Sequence, residues 1–189
     1  MVVRTKDLDK QRRMKEAMVR LILREGIDGA SVSKIAREAG VSPATIYIYY
    51  SSKEEMLSEV FQEYAHQGYR YLMHRLRPGM EAGELIEAIV RGYFEYTVQY
   101  EEVFSFVEQC SRCPTLSQRV SEEECCGELF SLLHEYQSRG QLRPWSDPNL
   151  AAILFSPVRF LALNRDREAQ TPEAQLGELI EMLRRVLLL

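Results

Sequence analysis

The stretch SVSKIAREAGVSPATIYIYYSSKEEML, Ser31 to Leu57, decides the fold. Ser31 can cap a helix whose inward residues are Ile35, Ala36 and Ala39. Gly40 ends that helix, because glycine enters the left-handed conformation without a Cβ clash. Val41 faces inward across the turn, Ser42 caps the next helix, and Pro43 takes its first position, where no N–H is needed. Ile46 and Tyr50 are four apart, so they share one face and anchor this second helix. Pro43, Ala44, Thr45, Tyr47, Ile48 and Tyr49 are then left outside. Ser52-Lys53-Glu54-Glu55 has the form of a capping box and opens a third helix. Two short helices joined by a glycine turn are the layout of a helix-turn-helix, which lays its second helix in the major groove of DNA.

Gly26 to Ala36, Ala39 to Ser42, Ile46 to Tyr50 and Lys53 to Leu57 together resemble the signature of the TetR family of transcriptional repressors. The motif covers about a quarter of the chain, and the remainder is similar only in length and helical character. Two positions depart from the family pattern. Tyr50 stands where the family usually has Phe, and its hydroxyl needs a partner or an exit to water. Ala44 stands where Gly is frequent, and alanine suits a helix better.

Charge divides the chain. Residues 1–53 carry eleven Lys and Arg against six Asp and Glu, a net of +5, and the rest carries thirteen Arg against twenty-two acids, a net of −9. A basic head on an acidic body suits a DNA-contacting region joined to a domain that does not touch DNA. No apolar run approaches the roughly 20 residues that span a bilayer, and the charged N-terminus does not read as a secretory signal. The expected compartment is the cytoplasm, with four reduced cysteines.

The fold class expected is all-α, about nine helices in total. A three-helix helix-turn-helix head (residues 1–51) precedes a larger helical ligand-binding and dimerisation domain (residues 52–189). Lys6 to Glu25 reads as an amphipathic first helix, and no stretch alternates as a strand would. The last two helical stretches are apolar beyond the need of one stripe: Phe155, Val158, Leu161 and Ala162, then Leu176, Ile180, Leu183 and Leu187. Each is expected to bury one face at home and another against a second copy. The resemblance implies the same homodimer through the last two helices, which sets two recognition helices about one DNA turn apart, roughly 34–36 Å.

The expected DNA contacts are Ser31, Ser33, Lys34, Ser42, Pro43, Ala44, Thr45, Tyr47, Tyr49 and Lys53. By resemblance, Tyr47 and Lys53 match positions that contact the backbone, and the hydroxyls of Ser31, Ser42 and Thr45 suit phosphates. The face Pro43 to Tyr49 holds no Arg, Lys, Asn or Gln, the side chains that make bidentate base contacts. The helix is left with Thr45, Tyr49 and apolar contact of Ala44 or Pro43 with thymine methyls, so a larger share of specificity is expected from DNA shape and from Lys34 or an N-terminal arm of Arg4, Lys6, Lys10, Arg12 and Arg13.

The resemblance also implies a small-molecule effector inside the body. Its candidate contacts are Tyr93, Tyr96, Phe104, Glu108, Phe130, His134 and Arg159, which favour an apolar or aromatic ligand. Cys110-x2-Cys113 and Cys125-Cys126 are expected to be ordinary thiols, with no metal and no cofactor. None of the P-loop, dinucleotide, nucleophile-elbow or zinc-protease motifs is present, so no enzymatic activity is expected. The alternative is a helical adaptor, or a DNA-binding protein that takes no ligand.

Overall fold

The computed structural model describes residues 2–117, 122–165 and 171–189, with side chains described at 7–114, 116, 127–165 and 171–189. The arm residues Arg4 and Lys6 and the pair Cys125-Cys126 lie outside the described side chains. The described residues form α1 (Val2–Gly29), α2 (Val32–Ala39), α3 (Pro43–Tyr49), α4 (Lys53–Met73), α5 (Ala82–Gln99), α6 (Glu101–Ser111), α7 (Pro114–Ser117), α8 (Glu122–Ser138), α9 (Asp147–Asn164) and α10 (Pro172–Leu187). With α7 only a single turn, this is the all-α class of about nine helices. The one departure from helix and loop among the described residues is an isolated antiparallel bridge between Leu142 and Leu188. No helix of the described residues is long and apolar enough to cross a membrane.

The chain compacts into two units. The first comprises residues 1–66 and 102–121, the second residues 67–101 and 122–189. These are units of packing, and the functional division at 51/52 is a separate question.

The first unit has its own core. Met14, Met18, Leu21 and Ile22 of α1 meet Ile35, Ala36 and Ala39 of α2, Ile46 of α3, and Met56, Leu57, Val60 and Phe61 of α4. Phe106 and Cys110 of α6 are fully buried in the same cluster. Burial pushes the Cys110 thiol up to about 12, so it stays protonated and behaves as a small hydrophobe. Cys110 and Cys113 are free thiols.

Gly26, at φ 79° and ψ 171°, breaks the regular run of α1 where the sequence places its end. At the end of α2, Gly40 sits at φ 67° and ψ 38°. There the Val41 N–H donates to Ala36 O at 2.9 Å and the Gly40 N–H to Arg37 O at 3.3 Å. This is the paired closure that a left-handed glycine permits.

The second unit is built on α5, α8, α9 and α10. Leu85, Ile86, Ile89, Leu129, Leu133, Leu154, Val158, Ile180 and Leu183 are among its buried residues. Within it α4 and α5 cross closely. A Cβ placed on Gly68 would lie 2.9 Å from the Tyr96 ring, so only glycine lets that ring approach. Tyr96 in turn sits against Tyr71 and Tyr100, with ring centroids 5.3 and 5.1 Å away.

The Tyr50 side chain is 2% exposed, and its hydroxyl has no hydrogen-bond partner among the described residues. Burial pushes this phenol well above its ordinary pKa. An orphaned buried hydroxyl costs on the order of 1–3 kcal/mol, and phenylalanine would keep the ring while removing it. Tyr50→Phe should therefore raise the free energy of unfolding by about 1 kcal/mol or more, read from urea unfolding of the whole chain. A loss of stability would mean that the hydroxyl has a partner.

Candidate nucleic-acid interface

The helix-turn-helix is assembled by caps. The Ser31 Oγ accepts from the Lys34 N–H at 3.4 Å, and the Ser42 Oγ accepts from the Thr45 N–H at 3.2 Å. Ser42 and Thr45 hydroxyls lie 2.9 Å apart, so one donates to the other. The Tyr50 N–H closes α3 on Ile46 O at 3.0 Å. The following helix starts with the Glu55 N–H on Ser52 Oγ at 3.1 Å. The Glu55 carboxylate reaches back to the Ser51 N–H at 2.6 Å and holds its own pKa low through Ser51.

Ile46 is the buried residue of α3. Successive residues of a helix turn by about 100°, so Ala44 and Ile48 straddle the direction opposite Ile46. Ile48 is 76% exposed and Tyr47 58% exposed. Pro43 and Ala44 are exposed, and Thr45 and Tyr49 are half-buried. The outer face of α3 is therefore apolar at its centre, with hydroxyls on its flanks.

The charged candidates are already engaged. The Lys34 ammonium donates to Glu25 Oε2 at 2.7 Å and to Gly29 O at 2.8 Å. That bond, with a second from Arg24, holds the Glu25 carboxyl below the usual range. The Lys53 ammonium donates to Ile27 O and Ala30 O, each at 3.3 Å, and so caps the chain end that follows Gly26. The Tyr49 hydroxyl donates to Asp7, which raises the phenol pKa, and its ring tilts against Tyr50 at 6.5 Å.

Of the arm, Arg12 is held by Asp9 and Glu16, and Arg13 by Asp9 and Ala39 O. Arg20 and Arg24 share Glu38, and Lys15 pairs with Glu63. Among the described side chains of residues 7–53, the cations without such a partner are Lys10 and Arg37. Arg37 lies one turn after Ser33 on the outer side of α2, and both are exposed. Arg37 is not among the DNA contacts expected from the sequence. The signal was present, since it stands two positions past the buried Ile35, on the opposite face.

The effector candidates are dispersed. Phe104, buried, and Glu108, half-buried, belong to α6 in the first unit. In the second unit Tyr96 is buried, Phe130 and Arg159 are half-buried, and Tyr93 meets Phe155 edge-on at 4.9 Å. His134 is exposed, its Nε2 2.6 Å from Asp147 Oδ1. An open groove of about 440 Å3 in this unit is lined by Tyr71, Arg75, Arg91, Phe94, Glu95, Val98, Gln99, Glu173 and Leu176, none of them among the seven. Its arginines are engaged: Arg75 stacks 3.7 Å from the Tyr71 ring centroid and bonds Glu95, and Arg91 bonds Glu87 and Glu173. Among the described residues no group of three or more His, Cys, Asp or Glu could hold a metal ion.

Four similarities to known proteins bear on this arrangement. Residues 16–60 match the family described as bacterial regulatory proteins, tetR family. The crystal structure of a TetR family transcription regulator from Marinobacter aquaeolei VT8 superposes with a TM-score of 0.85 at 25% identity, covering 98% of each chain. An uncharacterised HTH-type transcriptional regulator of Haemophilus influenzae is 26% identical over 166 residues, 80% of this chain and 78% of that protein. The fatty acid metabolism regulator of Bacillus subtilis is 32% identical over 79 residues, and that match spans only 42% of this chain and 41% of the relative.

Arg37→Ala should weaken binding to all duplexes alike and flatten the slope of log K against log salt by about 0.9, with the unfolding midpoint unchanged. Lys34→Ala should flatten it by less, because that ammonium already has two partners. Salt titrations by fluorescence anisotropy measure both. An unchanged slope in Arg37→Ala would remove Arg37 from the interface.

Proposed function

The chain belongs to the TetR family of transcriptional regulators, and from that premise we propose that it is a repressor that holds a palindromic operator as a two-fold dimer and releases it when a small, largely apolar or aromatic effector binds. The observation that carries this reading is the pinned, doubly capped α3 with its outer face left free. Residues 1–51 are the DNA-binding part and 52–189 the ligand-binding and dimerisation part. Tyr47 and the hydroxyls of Ser31, Ser33, Ser42 and Thr45 approach phosphates. Ser31 uses only an oxygen lone pair as a cap, so its O–H remains able to donate, while of the paired Ser42 and Thr45 hydroxyls one keeps its hydrogen free for a phosphate. Pro43 and Ala44 face bases. Lys34 and Lys53 reach DNA only by exchanging their present partners for it, and Tyr49 offers it only the acceptor oxygen that its bond to Asp7 leaves, so all three act as positioning residues at least as much as contacts.

Dimerisation is supported by a second exposed face. On α9, Phe160 is 62% exposed and Leu163 is exposed with it. On α10, Met182 is 58% exposed, alongside Val186. These differ from the residues singled out in the sequence. Val158, Ala162, Leu176, Ile180, Leu183 and Leu187 are buried inside their own chain. Large apolar side chains spaced by three or four on two helices form a stripe that a second copy covers.

The effector reading rests on the aromatic content of the second unit, and the relative named for fatty acid metabolism makes a long alkyl chain one member of the class. An effector works only through different affinities for the bound and free states.

Selection from a random duplex library with the full chain should return an inverted repeat whose half-sites lie about one helical turn apart, roughly 10 base pairs. An asymmetric site would overturn the dimeric reading, and no selected site would overturn the DNA reading. Long-chain fatty acids and aromatic carboxylates should compete with that duplex. Phe160→Glu with Met182→Glu should give monomers by sedimentation and weaken operator binding by about a hundredfold or more, with helicity kept. A double variant that remained dimeric would place the interface elsewhere.

A further inference from the structure

The centre of α3's outer face carries no polar group. Ile48, at 76% exposed, has the highest exposure among the large hydrophobic side chains described, and Ala44 lies one turn before it. Both point away from the pinned Ile46, so neither can be buried by a rearrangement of this unit that keeps α3 in place. The hydrocarbon side chain of an isoleucine cannot donate or accept a hydrogen bond. In the major groove one base feature answers it, the C5-methyl of thymine.

A second observation supports this. Guanine presents two acceptors, O6 and N7, and demands donors. Tyr49 could have supplied one, but its hydroxyl hydrogen is directed to Asp7. The phenol oxygen left over can only accept, as can the carboxylate beside it. An acceptor pair suits the adenine N6 amino group, which the same base pair presents next to the thymine methyl. Of the nearby cations, Lys34 of α2 and Lys53 of α4 are tied to Glu25 and to backbone carbonyls, and the unpartnered Arg37 stands on the outer side of α2, off the face of α3.

We propose that Ile48, with Ala44, is a specificity-determining element that reads thymine C5-methyl groups, so that the recognition helix selects A·T pairs at the centre of each half-site. This rests on the DNA-binding reading given above and deepens it. The guanidinium of Arg37 supplies affinity from the flank and no sequence discrimination.

The test uses methyl deletion. A duplex selected from a random library by the full chain is rebuilt with deoxyuridine in place of each thymine in turn, which removes one methyl and leaves the pairing intact. Binding should fall by about fourfold at one or two thymines of each half-site, and elsewhere stay unchanged. In Ile48→Ala the wild-type sensitivity at one of these positions should vanish, while any sensitivity under Ala44 persists. Ile48 is exposed, so the variant should unfold at the wild-type midpoint and keep its low-salt binding to random-sequence DNA, which separates lost readout from lost structure. Deoxyuridine duplexes that bind as tightly as thymine ones overturn the inference and leave the DNA reading standing. The same result follows if the fourfold penalty survives in Ile48→Ala. Failure to select any duplex overturns both.

Discussion

The burial of Ile46 is the constraint on which the recognition surface depends. A helix of seven residues is far below the roughly 12–15 needed to persist alone in water. α3 exists because Ser42 caps it, Gly40 turns the chain into it, and Ile46 locks it to a core shared with Met14, Met18, Ile35 and Ala36. One buried residue near the middle of so short a helix also sets its rotation. Everything α3 offers outward follows from that angle, including the apolar centre at Ala44 and Ile48.

The electrostatics of the head separate two effects that a charge count merges. Pairing Arg12 with Asp9 or Lys34 with Glu25 leaves the net charge of residues 1–53 at +5. The long-range attraction toward a polyanion is therefore retained. What pairing removes is the supply of unoccupied donors at the surface, leaving Lys10 and Arg37 among the described side chains of residues 7–53. Exposed ion pairs of this kind are each worth only about 0–1 kcal/mol, so DNA phosphates can compete for them. All the cations of the head thus act at a distance, while Lys10 and Arg37 are those already unoccupied for contact among the described side chains.

What was legible in the sequence was local. Gly40, the two serine caps and the inward pair Ile46 and Tyr50 act within five residues of themselves, and the structure has each where the spacing puts it. What was not legible depends on contacts distant in the chain. Tyr49 is 42 residues from Asp7, and Lys53 is 26 from Ile27. No periodicity announces that Phe106 and Cys110 complete the core of the first unit. The last two helices divide. On α10 the inward stripe Leu176, Ile180, Leu183 and Leu187 is the one the spacing picks out, but α9 is apolar nearly all round, and such a helix has no dominant face. Val158 and Leu161 could not be told from Phe160 and Leu163 until packing set the rotation, and Pro157 inside α9 interrupts the regular register further.

Tyr50 links these threads. It follows α3, donates its N–H to Ile46 O, and buries its ring in the core of the first unit. The ring contributes to holding the recognition helix, while the orphaned hydroxyl opposes the same burial. Both terms act on one residue, so the cost is not spread over the core but falls on the end of α3. An opening that lets the Tyr50 hydroxyl reach water recovers its hydration at once, while opening at Ile46 recovers nothing. Local opening at the C-terminal end of the recognition helix is thus opposed less than it would be with phenylalanine at position 50. A duplex that contacts Tyr47 and Ile48 binds only the closed form, and by mass action it adds back the order that the hydroxyl removes.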